Sequence, residues 1–270
     1  MTQAQLGVRY QMKISTIVQN KHKVISLILI LILWNIASKI YSPVVVPDID
    51  DVLRALKDIC ISSKLLFEVL LTIKRLFIAL VISLTFGVIL GIIMGYNSTL
   101  ENLFMPFINI MQSVPPISWL VLAIIWFGLD GKASIFIAVI STLPLIIINL
   151  IQSIKNIDSK LVEMAKMYNF SKWKMIRRII IPSVIPYFEA SLKIAVGSGC
   201  KVIVMGEVLS TSNGIGGQLT NARLNIETEY VFAWTIIIVL LFYVTNKIIT
   251  IIFENNIKGG RYAYKNREFN

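Results

Sequence analysis

Long apolar runs separated by short polar segments dominate this sequence of 270 residues. Crossing about 30 Å of hydrocarbon takes about 20 helical residues, and several of the runs are that long. Hydrophobic residues make up 56% of the chain and charged residues only 15%, a composition that water-soluble domains do not show. We therefore predict an all-α integral membrane protein without a separate soluble catalytic domain.

The apolar runs predict six membrane-spanning helices. They are expected at about 24–41, 64–95, 103–129, 133–154, 187–209 and 230–253. The first run could be a cleaved signal peptide, but no small-x-small cleavage site precedes Lys39, so we interpret it as an uncleaved span. The chain then divides into a leader at 1–23, a first span at 24–41, an external segment with an interfacial helix at 42–63, a core at 64–254 and a tail at 255–270.

Basic residues are unevenly distributed between the two sides that six spans define. Fifteen Lys and Arg lie on the side of both termini and of the polar segment 155–186, and six lie on the other side. Because basic loops stay cytoplasmic, both termini and the 155–186 segment are predicted to be cytoplasmic. Topology also explains the net charge of +11, so nucleic acid is not an expected partner.

The sequence offers little for catalysis or cofactor binding. His22 is the only histidine, so neither a Ser-His-Asp triad nor a two-histidine metal motif can form. Gly131-Lys132 does not belong to a P-loop, because the first glycine of that motif would fall on Trp126. We predict that the chain is not an enzyme and holds no metal or cofactor.

The third run is interrupted at Ser113-Val114-Pro115-Pro116, where two prolines remove backbone donors and break the helix. Lipid cannot solvate the freed backbone groups, so the break is expected to face protein or a water-filled path. The residues around it are therefore candidates for lining a translocation path: Gln112, Ser113, Pro115, Pro116, Ser118 and Trp119.

Lys201 lies near the middle of the fifth run, where its ammonium cannot easily reach the membrane surface. It could line the path and favour an anion, or it could form an ion pair with Glu207 or with another helix. Ser198 and Glu207 on the same run are further path candidates.

Gly87, Gly91 and Gly95 recur every fourth residue in the second run. Such a stripe lets another helix approach closely, so we predict a helix-packing surface there. The alternative is that these glycines are merely tolerated on a helix that faces lipid.

The 155–186 segment has a distinct pattern. Leu161, Val162, Ala165 and Tyr168 share one helical face. Asn169 is a plausible left-handed end to this helix, and a second, basic helix is predicted from Lys172 to Ile181, ended by Pro182. Two short helices around a tight turn would form a projection that fits a socket on a partner.

This segment resembles the EAA loop of permease subunits of binding-protein-dependent ABC importers. The loop's Glu-Ala-Ala, Gly, Ile and Leu-Pro positions are matched, at the same spacing, by Glu163-Met164-Ala165, Asn169, Ile179 and Ile181-Pro182. Further motifs resemble the branch that imports sulfonates, taurine and nitrate. They are Val46-Pro47, Thr72-x-x-Arg75, Ser113-Val114-Pro115-Pro116, Trp126-Phe127-Gly128, Gly206-Glu207 and Gly214-Ile215-Gly216.

The resemblance implies the fold of a type I ABC importer permease in a bacterial cytoplasmic (inner) membrane. It implies four kinds of partner: a second permease copy, two cytoplasmic ATPase subunits that carry ATP and Mg, an extracytoplasmic substrate-binding protein, and the lipid bilayer. The substrate would be a small, anionic organic solute. Whether the second copy is identical stays open, although this branch usually pairs two copies.

The resemblance also implies that the 155–186 segment couples the permease to the ATPases. The expected coupling residues are Glu163, Met164, Ala165, Met167, Tyr168, Asn169, Lys172, Arg177 and Pro182. Arg177 and its neighbour Arg178 could instead be anchors at the membrane surface. The alternative function is an ion-gradient-driven secondary transporter, which would have no use for a projection with EAA spacing.

Overall fold

The computed structural model describes residues 25–26 and 28–265, with side chains as far as residue 251. The predicted leader at 1–23 and the last five residues of the predicted tail lie outside the described residues. Within them the regular structure is entirely helical, as predicted. The helices are α1 (Ile28–Ile40), α2 (Ile49–Ile61), α3 (Lys64–Tyr96), α4 (Ser98–Ser113), α5 (Pro116–Phe127), α6 (Gly131–Lys155), α7 (Ser159–Met167), α8 (Lys172–Met175), a π-helical turn (Ile176–Ile180), α9 (Ile181–Ser210), α10 (Gly214–Leu224) and α11 (Thr228–Lys265).

Four helical stretches of the described chain are long and apolar enough to cross a membrane: α3, α6, α8 continued through α9, and α11. The pair α4 and α5 passes the same test as one unit, bent by 95° at the break predicted from Pro115 and Pro116. The described part of α1 is only about 20 Å long, less than the thickness of the hydrocarbon. The described residues therefore provide four or five spans, compared with the six expected.

Residue contacts divide the chain into two units. Among the described residues, the smaller unit holds those up to Cys60 together with Ala222–Ala233. Its loop before α2 is anchored because Trp34 Nε1 donates to the Pro47 carbonyl at 3.1 Å and Thr228 Oγ1 donates to the Val44 carbonyl at 2.7 Å. The Trp34 ring also lies 5.2 Å from that of Phe232, centroid to centroid.

In the larger unit, Ile61–Asn221 with the chain from Trp234 onward, α3 packs closely along α6. Gly87, Gly91 and Gly95 lie against Ile146, Leu150 and Ile154 of α6 in that order. A Cβ atom added at Gly91 would lie 2.8 Å from the Leu150 Cβ, closer than van der Waals contact allows. The glycine stripe therefore sets the distance between these two helices.

Contacts at the two ends of α6 show the course of the α4–α5 pair. Lys155 at the end of α6 forms an ion pair with Glu101 at the start of α4, with 2.6 Å between Nζ and Oε2. After α5 the chain reaches Gly131, at the opposite end of a helix about 37 Å long, within only three residues. The pair α4–α5 thus traverses the whole length of α6, which favours a broken span over a re-entrant loop.

The helix after Lys172 differs from the prediction that it ends at Pro182. It continues as far as Ser210 through the π-helical turn, in which Ile181 N donates to Ile176 O, five residues back. A proline ring normally clashes with the carbonyl four residues earlier and leaves it unpaired. Because regular α-helix resumes only at Ile181, Pro182 lies in its first turn, where a missing N–H is tolerated.

Candidate functional site

The 155–186 segment forms the helix-turn-helix that its sequence predicts. Asp158 caps α7 by accepting from Lys160 N at 2.9 Å. The helix ends at Met167, and Asn169 follows two residues later with a φ of 51°, which confirms the predicted left-handed residue. Phe170 N then donates to Ala165 O at 2.9 Å, which closes the turn as in a Schellman motif. The turn is therefore held by its own backbone and needs no partner to form.

The outer surface of this turn exposes large apolar side chains. Met167 is 84% exposed and Tyr168 is 73% exposed, while Glu163, Met164 and Asn169 also lie on the surface. Trp173, which the sequence prediction omitted, is 69% exposed on α8. Large apolar side chains in such positions are typical of a surface that another protein covers.

The remaining expected coupling residues divide between the surface and the interior. Lys172, Arg177 and Pro182 are exposed. Ala165 differs from the expectation because it is fully buried, so its side chain cannot touch a partner in this arrangement. Its role here is packing, since α7 faces the protein at the position where Ala165 lies.

The break between α4 and α5 exposes most of the polar candidates around it. Gln112, Ser113 and Ser118 are exposed, as are Pro115 and Pro116. The Ser113 hydroxyl donates to the Asn109 carbonyl at 2.7 Å, so its hydrogen is already bonded within α4. Trp119 is half-buried beside Leu120 and Ala123, and its Nε1 makes no hydrogen bond to any described residue.

Lys201 is exposed on α9, about 14 Å before the end of that helix. Its Nζ lies 5.1 Å from the centroid of the Phe242 ring on α11, a cation–π contact. The expected alternative, an ion pair between Lys201 and Glu207, does not form. Ser198, one turn earlier, is half-buried and donates to the Ile194 carbonyl at 2.8 Å.

Glu207 instead belongs to a buried polar cluster, which we define as Glu68, Thr72, Arg75 and Glu207. Arg75 Nη1 lies 2.6 Å from Glu207 Oε1, and their side chains are 9% and 0% exposed. Thr72 Oγ1 donates to Glu207 Oε2 at 2.9 Å and accepts from Ile215 N at 3.0 Å. This position differs from the expectation that Glu207 faces the path, because its carboxylate is enclosed by these donors.

The polar cluster also fixes the turn between α9 and α10. Gly214 N donates to Glu68 Oε2 at 2.5 Å, and Gly216 N donates to Glu207 Oε2 at 3.1 Å. Arg75 Nη1 donates to the Asn213 carbonyl at 3.0 Å. Gly214 has a φ of 86°, and a Cβ atom there would collide with the Glu207 carboxylate, so only glycine fits.

The sequence prediction missed this cluster, although part of its signal was present. Glu68, Thr72 and Arg75 are four and three residues apart, which places them on one face of α3. Their partner Glu207 is 132 residues from Arg75, and local spacing cannot reveal such a pairing. In the described part of the chain, no three His, Cys, Asp or Glu side chains come together as metal ligands.

Comparisons with known proteins agree with this architecture. SsuC of Bacillus subtilis, named for aliphatic sulfonates transport, is 24% identical over 238 residues, 87% of this chain and 86% of its own. TauC, a taurine transport system permease of Escherichia coli, is 24% identical over 220 residues, 79% of this chain and 80% of its own. NrtB, a nitrate import permease of Synechococcus elongatus, is 31% identical over 155 residues, 57% of this chain and 56% of its own.

Solved structures share the fold. A chain of the MetNI methionine ABC transporter, in an inward-facing conformation, superposes with a TM-score of 0.55 at 16% identity, over 70% of this chain and 95% of its own. The sequence profile of binding-protein-dependent transport system inner membrane components matches residues 84–258, well over half of this chain. The chain therefore belongs to that family, and the resemblance noted from its motifs is confirmed.

Proposed function

We propose that this chain is the transmembrane subunit of an ATP-driven importer and forms the translocation path for a small, anionic organic solute. The observation that carries the proposal is the turn at 159–175, which presents Met167, Tyr168 and Trp173 to the exterior on a self-supporting backbone. Because the chain belongs to a family of transport-system membrane components, we infer that the partner covering this surface is an ATPase subunit. ATP and Mg are then held by that partner, and this chain is not itself an enzyme.

The proposed topology has six spans in a bacterial cytoplasmic (inner) membrane. Five are α3, the α4–α5 pair, α6, α8–α9 and α11, and the sixth is the run at 24–41, of which α1 is the described part. The ion pair between Lys155 and Glu101 supports placing the start of α4 on the same side as the 155–186 segment. Basic residues favour the cytoplasm for that side and for both termini.

The proposed assembly contains two permease copies, two ATPases and an extracytoplasmic binding protein that delivers the solute. A path for a polar solute needs walls that exclude lipid on all sides, which requires a second permease subunit. We favour an identical one because the branch that this chain resembles usually pairs two copies. The path candidates Gln112, Ser118 and Lys201 are exposed on the surface of the larger unit. A second copy would enclose them.

The preference for an anion rests on Lys201. An exposed ammonium this far along a membrane-spanning helix needs water or a protein partner, because lipid solvates it poorly. Glu207 is not available, since Arg75 and Thr72 occupy its carboxylate. Sulfonates, taurine and nitrate, the compounds for which the relatives are named, all have negatively charged oxygens that such a site would bind.

Copurification tests the proposed coupling. The chain is expressed together with a candidate ATPase subunit, purified, and assayed for retained ATPase subunit and ATP hydrolysis. Glu163→Lys should abolish both, because it reverses a charge on the exposed face of α7. Glu227→Lys, the same exchange at an exposed position outside the segment, should leave both unchanged. Ion-gradient-driven uptake by the chain alone in liposomes would support the secondary transporter instead.

The anion preference has its own test. Lys201→Ala should reduce uptake of an anionic substrate at least tenfold, while Lys201→Arg should keep most of it. Lys193→Ala, a half-buried lysine two turns earlier, is the matched control. Unchanged uptake by Lys201→Ala across anionic and neutral solutes would show that Lys201 does not line the path.

A further inference from the structure

A groove of about 660 Å³ lies on the larger unit between α3, α6 and the helix that begins at Lys172. Its walls include Ile92 of α3, Leu150 of α6, and Ile185 and Phe188 of α9. All but one of its lining residues are apolar or aromatic, and the exception is Lys172. The path candidates do not line it, so the groove is separate from the proposed route of the solute.

The one charged residue that lines the groove, Lys172, lies at one end of it. Lys172 is the first residue of α8 and Tyr96 the last residue of α3, and both lie where the 155–186 segment joins the spans. From there the lining continues to Phe188, 16 residues and about 24 Å along the helix from Lys172. A molecule that fits this groove has a long apolar part and a group at one end that binds an ammonium.

The surroundings of Lys172 favour an anion. Among the described residues Lys172 makes no ion pair, and its side chain is exposed. Lys174, Arg177 and Arg178 are also exposed within the next six residues. The 155–186 segment contains seven basic residues and only two acidic ones, Asp158 and Glu163.

We propose that this groove binds an anionic phospholipid, with the acyl chain along Ile180–Phe188 and the headgroup phosphate at Lys172. Basic pockets between spans on the cytoplasmic side bind anionic headgroups in this manner. Ile176 and Ile180 of the π-helical turn line the groove, so a bound lipid would contact the helix where the 155–186 segment is joined to α9. The lipid would thereby affect the position of the 155–186 segment, which is the part of the chain proposed to bind the ATPase.

The test measures binding and does not depend on transport. The full chain, with whichever subunits copurify, is placed in phosphatidylcholine vesicles containing a trace of phosphatidylglycerol or phosphatidylcholine with a photoactivatable acyl chain. Labelled residues are mapped by mass spectrometry. We expect the phosphatidylglycerol probe to label the lining residues of α9 more strongly, and Lys172→Ala to reduce its labelling about fivefold. The phosphatidylcholine labelling should not change.

Two matched pairs of variants separate the headgroup site from general membrane contact. Lys174→Ala removes an exposed basic residue that does not line the groove and should leave phosphatidylglycerol labelling unchanged. Ile185→Trp should fill the groove and reduce labelling by both probes. Ile194→Trp, on an exposed position of the same helix away from the groove, should reduce neither.

Equal labelling by the two probes, or no effect of Lys172→Ala, would overturn the proposal. A photoactivatable amino acid in place of Ile185 tests whether a polypeptide occupies the groove in place of lipid. If it crosslinks the chain to a second copy or to another polypeptide in place of lipid, the groove is a protein interface and the proposal is wrong.

Discussion

The two ends of the larger unit use polar and apolar residues in opposite ways. At the end that holds the α9–α10 turn, the charges of Arg75 and Glu207 are buried and paired. At the other end, Met167 and Tyr168 are apolar and exposed. Both arrangements would be costly for an isolated chain in water, but for different reasons. Buried charges need their partners within the chain, whereas exposed apolar groups are stabilised by a partner outside it.

A single continuous helix connects the two regions. The stretch from Lys172 to Ser210 begins at the 155–186 segment and ends beside the polar cluster, and it packs against α6 over much of its length. The polar cluster then ties its far end to α3 through Glu207. A displacement of the 155–186 segment would therefore reach the α9–α10 turn as motion of one packed body, which suits an alternating-access transporter.

The largest expected effect is on the ion pair of the polar cluster. Arg75→Ala or Glu207→Ala leaves one buried charge without its partner, which we expect to reduce the free energy of unfolding by about 3–5 kcal/mol. Replacing both, as Arg75→Met with Glu207→Leu, should recover part of that loss because neither charge of this ion pair remains without its partner. Thermal unfolding of the detergent-solubilised protein measures the effect. Single variants as stable as the unmodified protein would show that the pair is unimportant.

For the exposed turn at 159–175 we expect the reverse, a small effect on stability and a large effect on binding of the ATPase subunit. Tyr168→Ala removes a large apolar side chain that touches little of its own chain, so stability should change by less than about 0.5 kcal/mol. Retention of the ATPase subunit should fall at least tenfold, as for an aromatic residue that anchors an interface. Tyr187→Ala, a less exposed tyrosine outside the turn, is the control. A large loss of thermal stability in Tyr168→Ala would contradict the assignment of this surface to a partner.

The contrast between the ends also explains which features the sequence could predict. The break at Pro115-Pro116 and the left-handed Asn169 follow from the local sterics of one or two residues, and both are observed. The end of the second helix at Pro182 was predicted by the same logic and is wrong, because the π-helical turn before it accommodates the ring. The pairing of Arg75 with Glu207 depends on how α3 and α9 pack, so no local pattern contains it.

The glycine stripe allows the packing of α3 against α6, between the two ends of the larger unit, to be tested. Gly91→Ala places a methyl group against Leu150, so overpacking should reduce the free energy of unfolding by about 1–3 kcal/mol. Gly197→Ala is the matched control, because a Cβ atom there would lie 3.7 Å from its nearest neighbour. That variant should be neutral or more stable, since alanine has the higher helix propensity. Equal effects of the two substitutions would show that the close approach of α3 and α6 is not important for stability.

The smallest expected effect concerns Asn169 and Ile226, which in the described part of the chain are the non-glycine residues with positive φ, at 51° and 61°. Asparagine tolerates this conformation, so Asn169→Gly should change stability by only a few tenths of a kcal/mol. A β-branched residue is strained there, and Ile226 is 68% exposed, so little burial is lost on its removal. Ile226→Gly should therefore stabilise the protein by about 1 kcal/mol, measured as a rise in the midpoint of thermal unfolding. If Asn169→Gly stabilised the protein as much as Ile226→Gly, the turn of the 155–186 segment would be strained and would not be the self-supporting structure on which its proposed role depends.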